Sequence, residues 1–237
     1  MENLAKRFLE AFNTIDYTLR SRYAHKNAQS FNEVVRQSVR HNSIIRKYED
    51  RLIQYSRLRN AIVHSLNPKI VIAEPHVEVV EEMEKIAKLI TTPPKVISYS
   101  KRQVVGVESD VKIKEVLMLA YEKGYSNIAV FDHGAIIGVA NISLVTRTLG
   151  KALVAGRDIS AYIESTAIKD VVEKLKEVNY YTIQSEALTV EEALNLFSEN
   201  RKLTCIVLTK NGNFLEKPSG IITTGDIIDL NRVLEDY

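Results

Sequence analysis

The sequence predicts a two-domain α+β protein, an all-α four-helix bundle followed by an α/β half made of two copies of one unit. Three observations carry this. All nine glycines lie at or after Gly106, so the first half was built without the residue that tight turns and strand bulges most often use. Pro93-Pro94 ends a helical pattern over residues 77–90, because proline lacks the amide hydrogen and pushes its predecessor out of the α region. Beyond that point short β-branched runs alternate with helical stretches, and the alternation repeats. The expected domains are residues 1–92 and 93–237, with the two copies at about 95–150 and 165–237.

In the first domain, Leu4, Phe8, Ala11, Ile15 and Leu19 recur at helical spacing and define one apolar stripe on a helix that should end near Tyr23. A second helix is expected over residues 31–40. Asn42 or Ser43 is placed to cap a third, which carries Ile45, Tyr48, Leu52, Tyr55 and Ile62 on one side and is closed by Pro68. A fourth begins after Pro75 and buries Val79 or Val80, Met83, Ile86 or Ala87, and Ile90. Short connections between four such helices predict a bundle.

In the second half, strands are expected at residues 127–131, 136–139, 204–208 and 220–222. The repeat is visible residue by residue. Val111-Lys112-Ile113-Lys114-Glu115-Val116-Leu117 aligns with Leu188-Thr189-Val190-Glu191-Glu192-Ala193-Leu194, and Ile128-Ala129-Val130-Phe131 then meets Cys205-Ile206-Val207-Leu208 without a gap. A longer turn in the second copy, residues 210–219, precedes the match of Gly138-Val139-Ala140-Asn141 with Gly220-Ile221-Ile222-Thr223.

Bulk properties narrow the function classes. A formal net charge of +2 over 237 residues argues against a non-specific polyanion binder, so any nucleic-acid contact must come from a local patch. The single cysteine, Cys205, sits in an apolar run, which excludes an intrachain disulfide and reads as a small core hydrophobe in a reducing compartment. No run of about 18 apolar residues occurs, and the charged opening residues predict an unprocessed cytoplasmic protein without membrane contact.

The repeat resembles a tandem pair of CBS domains, the Bateman module. The most specific segment is Gly220-Ile221-Ile222-Thr223-Thr224-Gly225-Asp226-Ile227, similar to the family's strand-to-helix signature of glycine, two apolar residues, Thr or Ser, two further residues and Asp. The chemistry is intelligible by itself: a Thr hydroxyl and helix-start amides hold phosphate, and an Asp three residues later accepts both hydroxyls of a ribose. The bland alternative is that Thr223 caps the last helix and Asp226 complements its dipole. The resemblance implies a nucleotide site formed by Gly220, Ile221, Thr223 and Asp226, with Thr182 from the strand opening the second copy beside the base. The ligand would be AMP, ADP, ATP or a related adenine nucleotide, acting as a regulator with no cofactor or metal. The first copy carries Asn141 where Thr would stand and Leu144 in place of Asp. Leucine cannot accept a ribose hydroxyl, so one working site per chain is expected.

The third helix contains Arg59-Asn60-Ala61-Ile62-Val63-His64 and is similar to the HEPN family of small four-helix domains, whose signature is Arg, a polar residue, three more residues and His. Many members are metal-independent ribonucleases. The resemblance implies acid or base chemistry for His64, phosphate stabilisation for Arg59 and an orienting role for Asn60. RNA is cut by its own 2′-hydroxyl if one group takes that proton and another protonates the leaving 5′-oxygen, work that suits histidine near neutral pH. A guanidinium matches the charge that develops on the phosphorane oxygens. One such histidine per chain suggests a twofold homodimer that supplies a second. Basic residues outnumber acidic ones up to Lys69, with arginine predominating, as phosphate recognition would favour. The bland alternative pairs Arg59 with a carboxylate and leaves His64 a structural helix residue.

The expected function is an adenine-nucleotide-sensing pair of CBS domains controlling a HEPN-like ribonuclease. Two alternatives stay open: a non-enzymatic regulator or scaffold whose helical domain dimerises or docks a partner, and an RNA-binding protein that senses nucleotide without cutting.

Overall fold

The computed structural model describes residues 4–23, 30–63, 73–100 and 103–237. The chain divides into two compact units, the first comprising residues 1–94 together with Leu234–Tyr237, the second Lys95–Val233.

The first unit contains α1 (Leu4–Tyr23), α2 (Phe31–Ser38), α3 (Ser43–Val63) and α4 (Val77–Thr91). The apolar stripe of α1 is buried as its spacing requires, with Phe8, Ile15 and Leu19 fully enclosed. Ile45 and Leu52 of α3 and Val80, Met83, Ile86 and Ile90 of α4 complete the same core. Local chemistry sets the helix starts. The Ser30 hydroxyl accepts from the Glu33 amide while the Glu33 carboxylate accepts from the Ser30 amide, so two unsatisfied donors of α2 are capped reciprocally. Asn42 Oδ1 accepts from the Ile45 amide at 3.0 Å and starts α3. At the C-terminus, Tyr237 donates its hydroxyl to the Thr92 carbonyl at 2.7 Å and receives the Lys88 ammonium over its ring. Pro68 lies outside the described residues.

Part of the excess of basic residues near the N-terminus is answered within this unit. Arg7 donates two hydrogen bonds of 2.7 Å to the Glu84 carboxylate, which holds that carboxyl below its ordinary range. Arg51 pairs with Glu82, Arg20 with Asp16 at 2.8 Å, and Arg22 donates to the Ile90 carbonyl at 2.8 Å. Two of these carboxylates stand on α4, beyond the point to which the linear charge count ran.

The second unit is a structural repeat. Its first sheet orders β1 (Gly106–Glu108), β2 (Asn127–Asp132) and β3 (Ala135–Asn141), and its second orders β4 (Tyr181–Ser185), β5 (Cys205–Thr209) and β6 (Gly220–Thr223). In each, the first pair is parallel and the second antiparallel. The parallel pairs are bridged by α5 (Ile113–Lys123) and α9 (Val190–Glu199), the crossover helices that such pairs require. The remaining helices are α6 (Ile142–Val154), α7 (Ile159–Ser165), α8 (Ile168–Leu175) and α10 (Ile227–Asp236).

The copies exchange their leading segments. The Ile113 amide donates to the Thr166 carbonyl and the Ile168 amide to the Val111 carbonyl, while the Val96 amide donates to the Leu188 carbonyl. Helix α8, which opens the second copy in sequence, therefore packs on β3 of the first. Gly138 permits this, because a Cβ there would stand 2.9 Å from the Val172 Cβ. Gly138→Ala is expected to cost about 1–3 kcal/mol by overpacking, read as an earlier loss of amide protection in β3 and α8 under denaturant.

Between the sheets lie Ile136 and Val139 from β3, Tyr180, Cys205 and Val207 from the second copy, and Ile221 from β6. Tyr180 is almost wholly buried and donates its hydroxyl to the Val139 carbonyl; burial pushes this phenol above its ordinary range. Burial likewise pushes the Cys205 thiol up to about 12, so the sulfur stays protonated and unreactive near neutral pH. No helix among the described residues is long and apolar enough to cross a membrane.

Candidate functional site

Strand β6 ends at Thr223, and the chain turns through Thr224-Gly225-Asp226 into α10. Asp226 Oδ2 accepts from both the Thr223 amide and the Thr223 hydroxyl, each at 2.8 Å. This is the capping arrangement expected of T-x-x-D, and it fixes the carboxylate at the strand-to-helix corner. Asp226 Oδ1 makes no hydrogen bond among the described residues, so the acid keeps acceptor capacity after capping.

Thr223 and Ile221 line a gap that also contains Gln103, Val105, Tyr125, Ser126 and Asn127 from the first copy. Its volume is about 20 Å³, room for one water and far below the ~300 Å³ at which small-molecule sites begin. Behind the gap, Asn127 Oδ1 accepts from Asn141 Nδ2 at 2.8 Å and lies 3.2 Å from the Thr204 hydroxyl. These polar groups of both copies satisfy one another.

The other sequence-predicted positions stand as follows. Gly220 is pressed against Ser100, whose Oγ would lie 2.7 Å from an added Cβ and hydrogen-bonds both the amide and the carbonyl of Ile221 at 3.2 Å. The glycine thus admits the cap on the free edge of β6. Thr182 stands on β4 opposite Ile206 of β5, whose other neighbour is Ile222 of β6. It is therefore two strands from β6 and absent from the gap, and its hydroxyl accepts from Gln184 Nε2 at 3.1 Å. In the first copy Asn141 Oδ1 accepts from the Leu144 amide, a cap with no acid beside it. Gln103, Tyr125, Ser126 and Asn127 were not singled out from the sequence. Tyr125, Ser126 and Asn127 carried one local signal, their place at the start of the strand expected from residue 127.

In the helical unit, Arg59 and Asn60 occupy the last turns of α3, while His64 lies outside the described residues. Arg59 donates from Nη1 to Asn60 Oδ1 at 3.3 Å, and its guanidinium carbon is 5.9 Å from the centre of the Phe12 ring. The two neighbours of the motif thus meet, although they point about 100° apart on a helix. Among the described residues, Arg59 Nε is shielded from solvent and has no hydrogen-bond partner. Both residues line a groove of about 280 Å³ with Phe12, Asn13, Phe31, Asn32 and Ser56. No cluster of His, Cys, Asp and Glu among the described residues is arranged to hold a metal ion.

Comparison with known proteins gives one family match, the CBS domain, over residues 168–232. No curated protein matches the chain. Among solved structures, an uncharacterized conserved protein from Pyrococcus horikoshii is 18% identical, with 59% of this chain and 93% of that one covered and a TM-score of 0.46. A CBS domain-containing protein from Kribbella flavida is 16% identical over 58% and 97%, with a TM-score of 0.46. CBSX2, in a complex with AMP, is 16% identical over 60% and 98%, with a TM-score of 0.45. The segment from α8 to the corner of Thr223 and Asp226 and on into α10, residues 168–232, is a CBS domain.

Proposed function

We propose that this protein is a regulator in which a pair of CBS domains senses an adenine nucleotide at Thr223 and Asp226 and controls the four-helix unit. The observation that carries the reading is the corner itself: inside a CBS domain, a carboxylate with one oxygen engaged in capping keeps the other, Oδ1, for a ribose hydroxyl, beside the amides that open the last helix. Capping and ligand binding are compatible at this acid. Gln103, Tyr125 and the strand starts of the first copy supply the opposite wall, so the ligand would be held between copies. Control requires that the nucleotide favour one state of the whole protein over another, because equal affinity shifts nothing. Calorimetry with AMP, ADP and ATP on the full chain tests the sensor. Saturable binding of one of them supports it, and no heat with any of the three overturns it.

A second reading concerns what is controlled. Arg59, whose Nε is shielded and without a hydrogen-bond partner among the described residues, stands beside Asn60, as a group awaiting phosphate would. On this reading the helical unit is a metal-independent endoribonuclease in which His64 moves protons, Arg59 stabilises the phosphorane and a homodimer supplies the second histidine. Incubation with RNA in EDTA, with and without AMP or ATP, should release products ending in a 2′,3′-cyclic phosphate, and His64→Ala should abolish them. Cleavage that survives that substitution, or that never occurs, sinks this reading and leaves the non-enzymatic regulator.

A further inference from the structure

The groove among α1, the start of α2 and the end of α3 holds chemistry that the cleavage motif alone does not use. Phe12 and Phe31 meet at its base with ring centres 4.4 Å apart. Phe12 is buried, whereas Phe31 is only half-buried and keeps ring surface accessible at the lining. The Ser56 hydroxyl lies 2.9 Å from Asn32 Oδ1 and 2.7 Å from the Ile53 carbonyl, one hydrogen shared between two acceptors, and the Asn32 Nδ2 hydrogens have no acceptor among the described residues. Asn13 is exposed and makes no hydrogen bond among those residues. Arg59 supplies the charge, and its Nε is both shielded and without a hydrogen-bond partner among the described residues. The other guanidinium at the groove, that of Arg20, is already neutralised by Asp16.

A flat aromatic surface, two amides with spare hydrogen-bonding groups and one uncompensated cation are the complement of a single nucleotide. The base stacks, its edge exchanges hydrogen bonds with amides, and the phosphate meets the guanidinium. Alternative ligand classes fit less well. A carboxylate alone would leave the aromatic surface and the amides idle, and an apolar ligand would leave Arg59 unpaired. The volume of about 280 Å³ stands at the lower end of small-ligand sites, enough for one nucleotide and too little for a duplex.

The geometry points to this groove as a binding site for one unpaired nucleotide, with Phe31 stacking on the base, Asn32 and Asn13 contacting its edge and Arg59 holding its phosphate. It deepens the RNA reading of the helical unit and rests on that reading for the expected source, a single-stranded RNA rather than a free mononucleotide. Asn13, Phe31 and Asn32 are thereby assigned a recognition role distinct from bond breaking.

The test uses the full-length protein and fluorescently labelled 2′-O-methyl octamers of uridine and of adenosine, which cannot be cleaved by the 2′-oxygen, so binding is read independently of cleavage. Polarisation is measured for wild type, Phe31→Leu, Phe31→Tyr, Asn32→Ala and, as a control on the exposed surface of the second unit, Tyr121→Ala, with thermal melts confirming that each variant folds. Phe31→Leu and Asn32→Ala should weaken binding about fivefold or more, Phe31→Tyr should restore it, and Tyr121→Ala should leave it unchanged. Competition with AMP, CMP, GMP and UMP separates the sources: displacement only by oligomer assigns the groove to an RNA chain, and displacement by monomers assigns it to free nucleotide. Groove-dependent binding without cleavage of ordinary RNA would end the ribonuclease reading and leave this site standing. Equal binding by wild type, Phe31→Leu and Asn32→Ala, or no binding of any octamer or mononucleotide, overturns the proposal.

Discussion

Replacing Asp226 by alanine is expected to lower the affinity of the full-length protein for its adenine nucleotide by about 10- to 100-fold, the range that follows from losing one charge-assisted hydrogen bond. The substitution removes two things at once. It takes away the oxygen left over for ribose, and it releases the Thr223 amide and hydroxyl that now share Asp226 Oδ2. Asp226→Asn separates them. Its amide oxygen can still accept from the Thr223 amide and preserve the cap, but it brings no charge to a sugar hydroxyl, so an intermediate loss is expected. Calorimetry on wild type and both variants reads the series directly. Equal affinity in all three would show that the acid is only a cap.

Tyr180→Ala should be the most disruptive single change in the second unit, destabilising it by about 3–5 kcal/mol as a buried aromatic is replaced by a cavity. Tyr180→Phe isolates the hydroxyl and should cost about 1–3 kcal/mol, because a buried carbonyl, that of Val139, is left short of a donor. The side chain is almost fully enclosed between the sheets, so the cavity has little chance of collapse. Because the chain holds two units, one global transition is a poor measure. Hydrogen exchange of β3 and β5 followed through a denaturant series resolves the relevant unit. An alanine variant with unaltered protection there would show that Tyr180 is dispensable to the junction of the copies.

The elements that local chemistry specifies were legible in the sequence. Helix α1 carries the stripe from Leu4 to Leu19 and is described as far as Tyr23, and α3 begins at Ser43 behind an Asn42 cap. Helix α2 is shorter than expected, ending at Ser38 rather than residue 40, within the usual uncertainty of helix ends. The four expected strands appear with their ends shifted by one or two residues, since their β-branched runs are mostly buried. β1 was not expected, because Gly106–Glu108 is too short to show alternation and exists through parallel pairing with β2. The motif Thr223 to Asp226 was found because its three-residue spacing is local. The residues facing it were not, because nothing local ties Gln103 or Tyr125 to a strand a hundred residues away.

Charge shows the same division. A count along the chain reads a basic N-terminal segment, yet Arg7 and Arg51 are answered by Glu84 and Glu82 on α4, more than seventy and thirty residues later. The guanidinium that folding sets in a groove among amides and rings is that of Arg59.

By itself the sequence determined the four helices of the first unit and four of the strands of the second, that the second half is a duplication, and that one copy carries the Thr223 and Asp226 pair, because periodicity, capping and short motifs act over a few residues. Only the tertiary structure decided that the copies exchange their leading segments, that Thr182 stands two strands from β6, and that Arg59 shares a groove with Phe31 and Asn32. Such facts depend on which distant surfaces bury one another, and burial is settled by the packing of the whole chain.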